Sequence, residues 1–308
     1  MPTILITGAT GFLGSKCLHK FRTEGFEVIS TDNQQGADIV GNLCNPIFVN
    51  SLPQVDIVVN CAAVQYVTKH QPILRTKFFH ENNVITAKNL AERYKGISHF
   101  VHVGTSMMYK MSESDLSEMS QFQGNGVYST SKFDAQRYID EIPNSATVIP
   151  CIIGGAGREG LFKAFVKMIE NLPLVMVPGD GTKPIHMVHV EDAVELILLI
   201  CRKKAFGYFN AASTNPLSIN QWIKVIALKF ERPLPKCLHI PVSLLRAISA
   251  TTGYRLLARE QLLMLEHRHV LSIDKSRKLG WKPKYTNVEI AEQIASHIRD
   301  KYACDSKK

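Results

Sequence analysis

No apolar run in this chain is long enough to cross a bilayer. The longest, Leu196 to Cys201, falls far short of the ~20 residues a spanning helix needs. No block of five like charges occurs either, although the net charge is +9. Scattered basic residues describe a solvated surface rather than a nucleic-acid site, so no nucleic-acid partner is expected. Attraction for anionic substrates or lipid headgroups stays open. The seven cysteines (Cys17, Cys44, Cys61, Cys151, Cys201, Cys237 and Cys304) form no C-x-x-C pair, and their number is odd. Reduced thiols in a reducing compartment fit that pattern. Met1-Pro2 leads straight into an apolar strand, with no secretory leader pattern. Internal repeats, low-complexity tracts and an obvious linker are also missing. These absences point to a cytoplasmic protein with no stable membrane insertion.

What is present is a globular composition. Of 308 residues, 45% are hydrophobic and 20% charged, enough for one large α/β unit or two fused lobes. The first half alternates strand and helix patterns. Strands are expected at Ile4–Thr7, Glu27–Thr31, Asp56–Asn60, His99–Gly104 and Thr147–Ile153. Helices are expected at Phe12–Thr23, Lys77–Tyr94 and Val127–Ile142. Such alternation, with β-branched strands, implies a parallel sheet covered on both faces.

The second half is punctuated by Gly154-Gly155, Pro173, Pro178-Gly179-Asp180-Gly181 and Pro184. Helices are expected there at Glu191–Lys203, Ile219–Phe230, Val242–Glu266 and Val288–Tyr302. The fold class is therefore α/β: a Rossmann-type doubly wound parallel sheet with a smaller, mainly helical C-terminal lobe. The expected division gives residues 1–150 and about 186–210 to a dinucleotide-binding domain, and about 151–185 with 211–308 to a substrate lobe.

Two motifs carry chemistry. Gly8-x-x-Gly11-x-x-Gly14 stands between the first strand and the first helix. Glycines there permit a tight turn and bring the backbone against a pyrophosphate, which the helix N-terminus attracts. Gly8, Thr10, Gly11, Phe12, Leu13 and Gly14 are the expected contacts. Asp32 ends the second strand, where a carboxylate accepts ribose hydroxyls and repels a 2′-phosphate. No Arg follows in Asn33-Gln34-Gln35, so NAD is favoured over NADP. The second motif is Tyr128-Ser-Thr-Ser-Lys132. Four residues apart on a helix, Tyr128 and Lys132 share a face. A nearby ammonium favours phenolate, which lets Tyr128 act as acid and base toward a hydroxyl or carbonyl; Tyr128 and Lys132 are also expected to contact the cofactor, with Lys132 holding the nicotinamide ribose hydroxyls. A Tyr-Lys pair alone carries little information. After a dinucleotide loop, in this order, it points to hydride chemistry.

On these residues the chain resembles extended short-chain dehydrogenases/reductases of the NAD-dependent epimerase/dehydratase family. The motifs include Thr7–Gly14, Asn60-Cys61-Ala62-Ala63, Asn83-Val84, Val188-His189-Val190-Glu191-Asp192 and Asp274–Pro283, spread along nearly the whole length. The resemblance implies that Asn42 and Leu43 line adenine and that Cys61, Ala62, Ala63 and Ile152 border the cofactor. It makes Thr105 the catalytic hydroxyl and Asn83 an organiser of a proton path. Ser106, Met107, Cys151 and His186 then border the substrate. Ser106 equally suits a cap or turn, and packing suits Cys61 and Cys151, which have no neighbour suggesting nucleophilic use. His189 reads as a tie between lobes, and no metal site is expected. The resemblance also implies a homodimer paired through Lys77–Tyr94 and Val127–Ile142.

The chain departs from the family's nucleotide-sugar members. Ile149–Gly154 replaces their R-P-x-N-like segment, and the stretch from Lys183 to Val188 holds no Arg. Lys183 or Arg158 could substitute only as a less specific charge. Met107 and Met108 stand where dehydratases carry Asp-Glu, against dehydration. The leucine-rich stretch from Pro241 to Glu266 suits either core packing or an apolar substrate mouth. The leading expectation is an NAD-dependent dehydrogenase acting on a secondary alcohol or ketone of a small molecule. A nucleotide-sugar epimerase that recycles its own NAD is the alternative, and a non-catalytic NAD-sensing protein is a third reading.

Overall fold

A computed structural model describes residues 2–65, 72–254 and 257–303. Cys304 lies outside the described residues. The chain opens with β1 (Thr3–Thr7), α1 (Phe12–Thr23), β2 (Glu27–Asp32), β3 (Ile39–Val40), α2 (Pro46–Ser51) and β4 (Ile57–Asn60). Then come α3 (Pro72–Phe79), α4 (Thr86–Arg93), β5 (His99–Val103), α5 (Val127–Asp140) and β6 (Ser145–Pro150). Next are β7 (Ile152–Gly154), α6 (Leu161–Asn171), β8 (Leu174–Pro178), β9 (Pro184–Ile185), β10 (Met187–His189), α7 (Val190–Lys203) and β11 (Gly207–Ala211). The remainder is β12 (Leu217–Ser218), α8 (Ile219–Lys229), β13 (Lys236–Ile240), α9 (Val242–Thr251), α10 (Arg259–Glu266), α11 (Asp274–Lys278) and α12 (Asn287–Ala303).

Seven strands form one sheet in the order β11-β6-β5-β4-β1-β2-β3, and every pairing in it is parallel. The order reverses direction at β1, between β2 and β4. That switch opens a crevice at the carboxyl ends of the strands, where doubly wound folds bind ligands. Ile4, Leu5 and Ile6 are completely buried, as a strand covered on both faces requires. On one face, Leu13, Cys17 and Phe21 of α1 pack with Ala193, Ile197 and Ile200 of α7. On the other, Leu90 of α4 and Ala135 and Ile139 of α5 pack against Leu5, Val58 and Phe100. A separate core of α6, α8 and α12 gathers around Trp222, Ile226, Ile294 and Ile298. Three two-stranded pairings, β7 with β10, β8 with β13 and β9 with β12, edge that mainly helical region.

Three expected elements differ. The long helix begins at Pro72 rather than Lys77, and a π-helical turn, His80–Ile85, separates α3 from α4. The wider turn is accompanied by an inward Asn83 that engages the chain at Val64. The strand expected at Thr147–Ile153 divides at Cys151, because β6 pairs within the sheet whereas β7 leaves it to pair β10. The helix expected over Val242–Glu266 breaks into α9 and α10. Gly253 and Tyr254 between them have φ of 62° and 58°, left-handed values that no α-helix continues through.

Candidate active site

The glycine loop follows directly from backbone geometry. Gly8 has φ of 65°, and a Cβ there would come within 2.7 Å of the Ala62 backbone. A Cβ on Gly14 would lie 2.0 Å from the Gly8 carbonyl oxygen. Side chains are excluded at both places, and the loop folds tightly over the β1–β4 crevice. Gly11 precedes α1 with no side-chain cap, and the first turn of α1 holds no acidic residue. Its free N–H groups and positive dipole end suit an anionic phosphate. Asp32 Oδ2 accepts from Thr10 N at 2.9 Å and Thr10 Oγ1 at 2.7 Å, so the β2 carboxylate also fastens the loop. These groups fit a dinucleotide: an uncapped helix start, a side-chain-free cradle and a carboxylate at the end of β2.

Of the remaining cofactor candidates, Ala62 and Ala63 lie just past β4, with Ala62 N donating to Asn60 Oδ1 at 3.1 Å. Phe12 is half-buried beneath the guanidinium of Arg158, 5.7 Å from its ring centre. Asn42 is exposed, and its Oδ1 accepts from Cys44 N at 2.9 Å. Leu13 and Leu43 are buried in opposite faces of the sheet domain's core. Cys61 is half-buried at the end of β4, near Cys17 and Cys201. Ile152 is half-buried and packs toward the α6–α8–α12 core.

Tyr128 and Lys132 stand one turn apart on the buried face of α5. Thr105 stands close enough to the Tyr128 phenol to favour its ionised form. Thr105 Oγ1 also accepts from Met107 N at 3.3 Å and begins the 3₁₀ turn after β5. Phe79 meets the Tyr128 ring edge-on at 5.8 Å. Burial pushes the Tyr128 phenol up to about 12; Thr105 and the Arg158 charge work against that rise, and Glu260 adds to it. Lys132 Nζ lies 2.8 Å from Val103 O and 3.4 Å from His102 Nε2. Burial lowers it to about 8.

Asn83 is 3% exposed. Its Oδ1 accepts from Val64 N at 2.9 Å, and its Nδ2 donates to Val64 O at 3.2 Å and to Ser131 Oγ at 2.9 Å. Asn83 thus clamps the loop after β4 to α5.

The substrate candidates fall in two groups. Met107 is half-buried beside Thr105. Ser106, Cys151 and His186 are buried. The Ser106 hydroxyl lies 2.8 Å from His269 Nε2. Both ring nitrogens of His186 are engaged by backbone, Nε2 to Ser213 O at 2.6 Å and Nδ1 from Leu271 N at 3.1 Å. Burial pushes the Cys151 thiol up. His189 begins α7, stacks on Tyr285 at 3.7 Å and faces Gln293 Oε1 at 2.8 Å. Lys183 is held by Glu113 at 3.1 Å.

Sequence reasoning missed Glu260. It is 2% exposed, and its Oε1 accepts from Ser129 N at 3.0 Å. Gly126, just before α5, has no side chain with which to cap the helix. A Cβ there would lie 2.3 Å from the Glu260 carboxylate, so glycine leaves room for a cap donated by α10. His102 and His269 were missed as well. No local pattern marks these residues, because their partners come from distant parts of the chain.

The profile of the NAD-dependent epimerase/dehydratase family matches residues 4–212, and the chain belongs to that family. It is an enzyme of the extended short-chain dehydrogenase/reductase type, and its cofactor is NAD. A dTDP-4-dehydro-6-deoxy-D-allose reductase from Streptomyces sp is 21% identical over 268 residues, covering 75% of this chain and 82% of that protein. An uncharacterised protein of Schizosaccharomyces pombe is 22% identical over 304 residues, covering 92% and 96%. Among solved structures, the dTDP-glucose 4,6-dehydratase of Streptomyces venezuelae, with NAD and TYD bound, superposes with a TM-score of 0.78 at 18% identity, covering 98% of each chain. The Thermus thermophilus UDP-glucose 4-epimerase complex with NAD gives 0.76 at 19%, covering 96% and 99%. These similarities establish the shared fold.

Proposed function

We propose that this protein is an NAD-dependent oxidoreductase acting on a secondary alcohol or ketone of a small molecule, with Tyr128 as its acid and base. The observation that carries the reading is that Tyr128 and Lys132 are buried one turn apart on α5, with Thr105 close enough to the Tyr128 phenol to favour its ionised form. NAD, when bound, supplies or accepts the hydride. Gly8, Gly11, Gly14, Thr10 and Asp32 would hold it. Thr105 holds the substrate oxygen. In oxidation Tyr128, as phenolate, takes the hydroxyl proton; in reduction its O–H gives that proton back. Arg158, whose charge favours the phenolate, supports the ionised form.

A dehydrogenase is favoured over a nucleotide-sugar epimerase by the sequence at two places: Ile149–Gly154 holds no Arg or Asn, and Lys183–Val188 holds no Arg. Arg158, the remaining candidate for a substrate diphosphate, lies against Phe12 and acts on Tyr128. The nucleotide-sugar names of the relatives favour the second reading. The proposal includes a homodimer paired through the helices from Pro72 to Arg93 and α5, which sedimentation equilibrium tests.

Tyr128→Phe tests the reading. Activity should fall by about 10²–10⁴-fold across a panel of alcohols and ketones, while NAD binding measured by calorimetry stays intact. Undiminished turnover would end the Tyr128 assignment. Native mass spectrometry separates the two classes: tightly retained NAD marks internal recycling, and empty protein that binds added NAD marks an exchanging dehydrogenase.

A further inference from the structure

A buried line of polar groups runs from the glycine loop to Lys132. Thr7 Oγ1 donates to Asn60 Oδ1 at 2.7 Å, and Ala62 N donates to the same oxygen at 3.1 Å. Two donors on one side fix the amide orientation. Its nitrogen then faces His102 Nδ1 at 3.1 Å. An amide nitrogen only donates, so Nδ1 must accept and carries no proton. His102 is 1% exposed, and burial with the nearby Lys132 charge holds its imidazole well below the ordinary histidine range. The ring is therefore neutral, and its single proton sits on Nε2. Nε2 faces Lys132 Nζ at 3.4 Å. An ammonium has three donors and no lone pair, so a charged Lys132 sets donor against donor along the line from Nζ to Nε2. A neutral amine accepts the Nε2–H and still donates to Val103 O.

We propose that His102 is a positioning residue that sets the protonation of Lys132: Asn60 locks the Nε2–H toward Nζ, and the ring thereby eases loss of the lysine proton. The inference rests on the reading of Tyr128 and Lys132 as the reacting helix face. The other groups that bear on this face are Cys61 from the end of β4, which favours the ammonium, and Tyr128 one turn back on α5. Arg158 and Glu260 act on Tyr128 with opposite signs. Burial already brings Lys132 to about 8, so a donor aimed at its nitrogen acts where the lysine titrates.

The test needs no turnover. Two-bond ¹H–¹⁵N spectra of ¹⁵N-histidine-labelled protein are recorded from about pH 5.5 to about 9.5, spanning the ordinary histidine value and approaching that of lysine. His102 is assigned by its loss in His102→Gln or His102→Met. The expected result is an unprotonated Nδ1 and a protonated Nε2 throughout, with a step in the Nε2 shift centred near the Lys132 value of about 8. That step should vanish in Lys132→Met. An Nδ1–H tautomer, an imidazolium above about pH 6, or no step in the wild type would overturn the proposal.

Kinetics give an independent readout. In His102→Met the pH midpoint assigned to Lys132 should rise by about one unit, tenfold in proton affinity. His102→Gln, which can accept from Asn60 and donate to Lys132, should restore it. An unmoved midpoint in the folded methionine variant would also overturn the proposal. A protein that shows the spectroscopic step yet transfers no hydride would refute the functional reading and leave the His102 assignment standing.

Discussion

Glu260 caps the helix that carries Tyr128: its Oε1 accepts from the Ser129 backbone N–H at 3.0 Å and lies 3.2 Å from the Ser129 hydroxyl. A carboxylate at a helix N-terminus both satisfies a free donor and complements the dipole. Its charge also raises the Tyr128 phenol. Glu260→Ala should lower stability by about 1–3 kcal/mol. Glu260→Gln keeps an acceptor but removes the charge, so phenolate should form more readily. The pH profile of oxidation should then move toward acid by roughly half a unit to one unit. An unshifted profile in the folded glutamine variant would show that the carboxylate does not act on Tyr128.

Asp32 holds Thr10, and the proposed function gives the same carboxylate the cofactor ribose as well. Asp32→Ala removes both. NAD affinity, measured by calorimetry, should drop at least about tenfold, equivalent to ~1.4 kcal/mol. Discrimination against NADP should weaken in the same variant, because no carboxylate is left to repel the 2′-phosphate. Retained discrimination would place cofactor selectivity elsewhere.

Asn83 makes three hydrogen bonds that a leucine of similar size cannot make. Asn83→Leu would leave the Val64 N–H and C=O without their present partner, at about 1–3 kcal/mol for each group left unsatisfied. Thermal unfolding should show a loss of several degrees. If Asn83 serves solely to order water for proton transfer, the unfolding temperature will not move while turnover falls.

Acid should unfold this protein early. Burial lowers His99, His102, His186 and His269, the last to about 4. For each, the unfolded chain binds a proton near the ordinary value of ~6.5 while the folded chain does not. The neutral rings' contribution is fully present above that pH. Stability falls as pH drops below it, by up to about 1.4 kcal/mol per pH unit for each histidine, until the folded value is reached. Denaturant titrations between about pH 7 and pH 4.5 measure the slope. His269→Gln should reduce it by one proton.

The β1–loop–α1 unit was legible because its rules are local: strand burial, the glycine conformations and helical spacing are all written within residues 3–23. Tyr128 and Lys132 were legible for the same reason, since a four-residue step fixes a shared face. Asn83 was found only by resemblance, and its clamp on Val64 depends on a π turn that three- and four-residue spacing does not announce. The continuous helix expected through Gly253 and Tyr254 failed because the leucine pattern persists across a backbone that turns left-handed there.

The sequence by itself determined the glycine loop, the parallel sheet and the helix face shared by Tyr128 and Lys132, since each follows from neighbouring residues and the stereochemistry of one segment. Only the tertiary structure decided what surrounds that face. Glu260 reaches Ser129 across 131 residues, His269 reaches Ser106 across 163, and Lys132 meets His102 across 30. Protonation depends on burial and on which donor faces which acceptor. Both are settled when distant strands and helices close around the site.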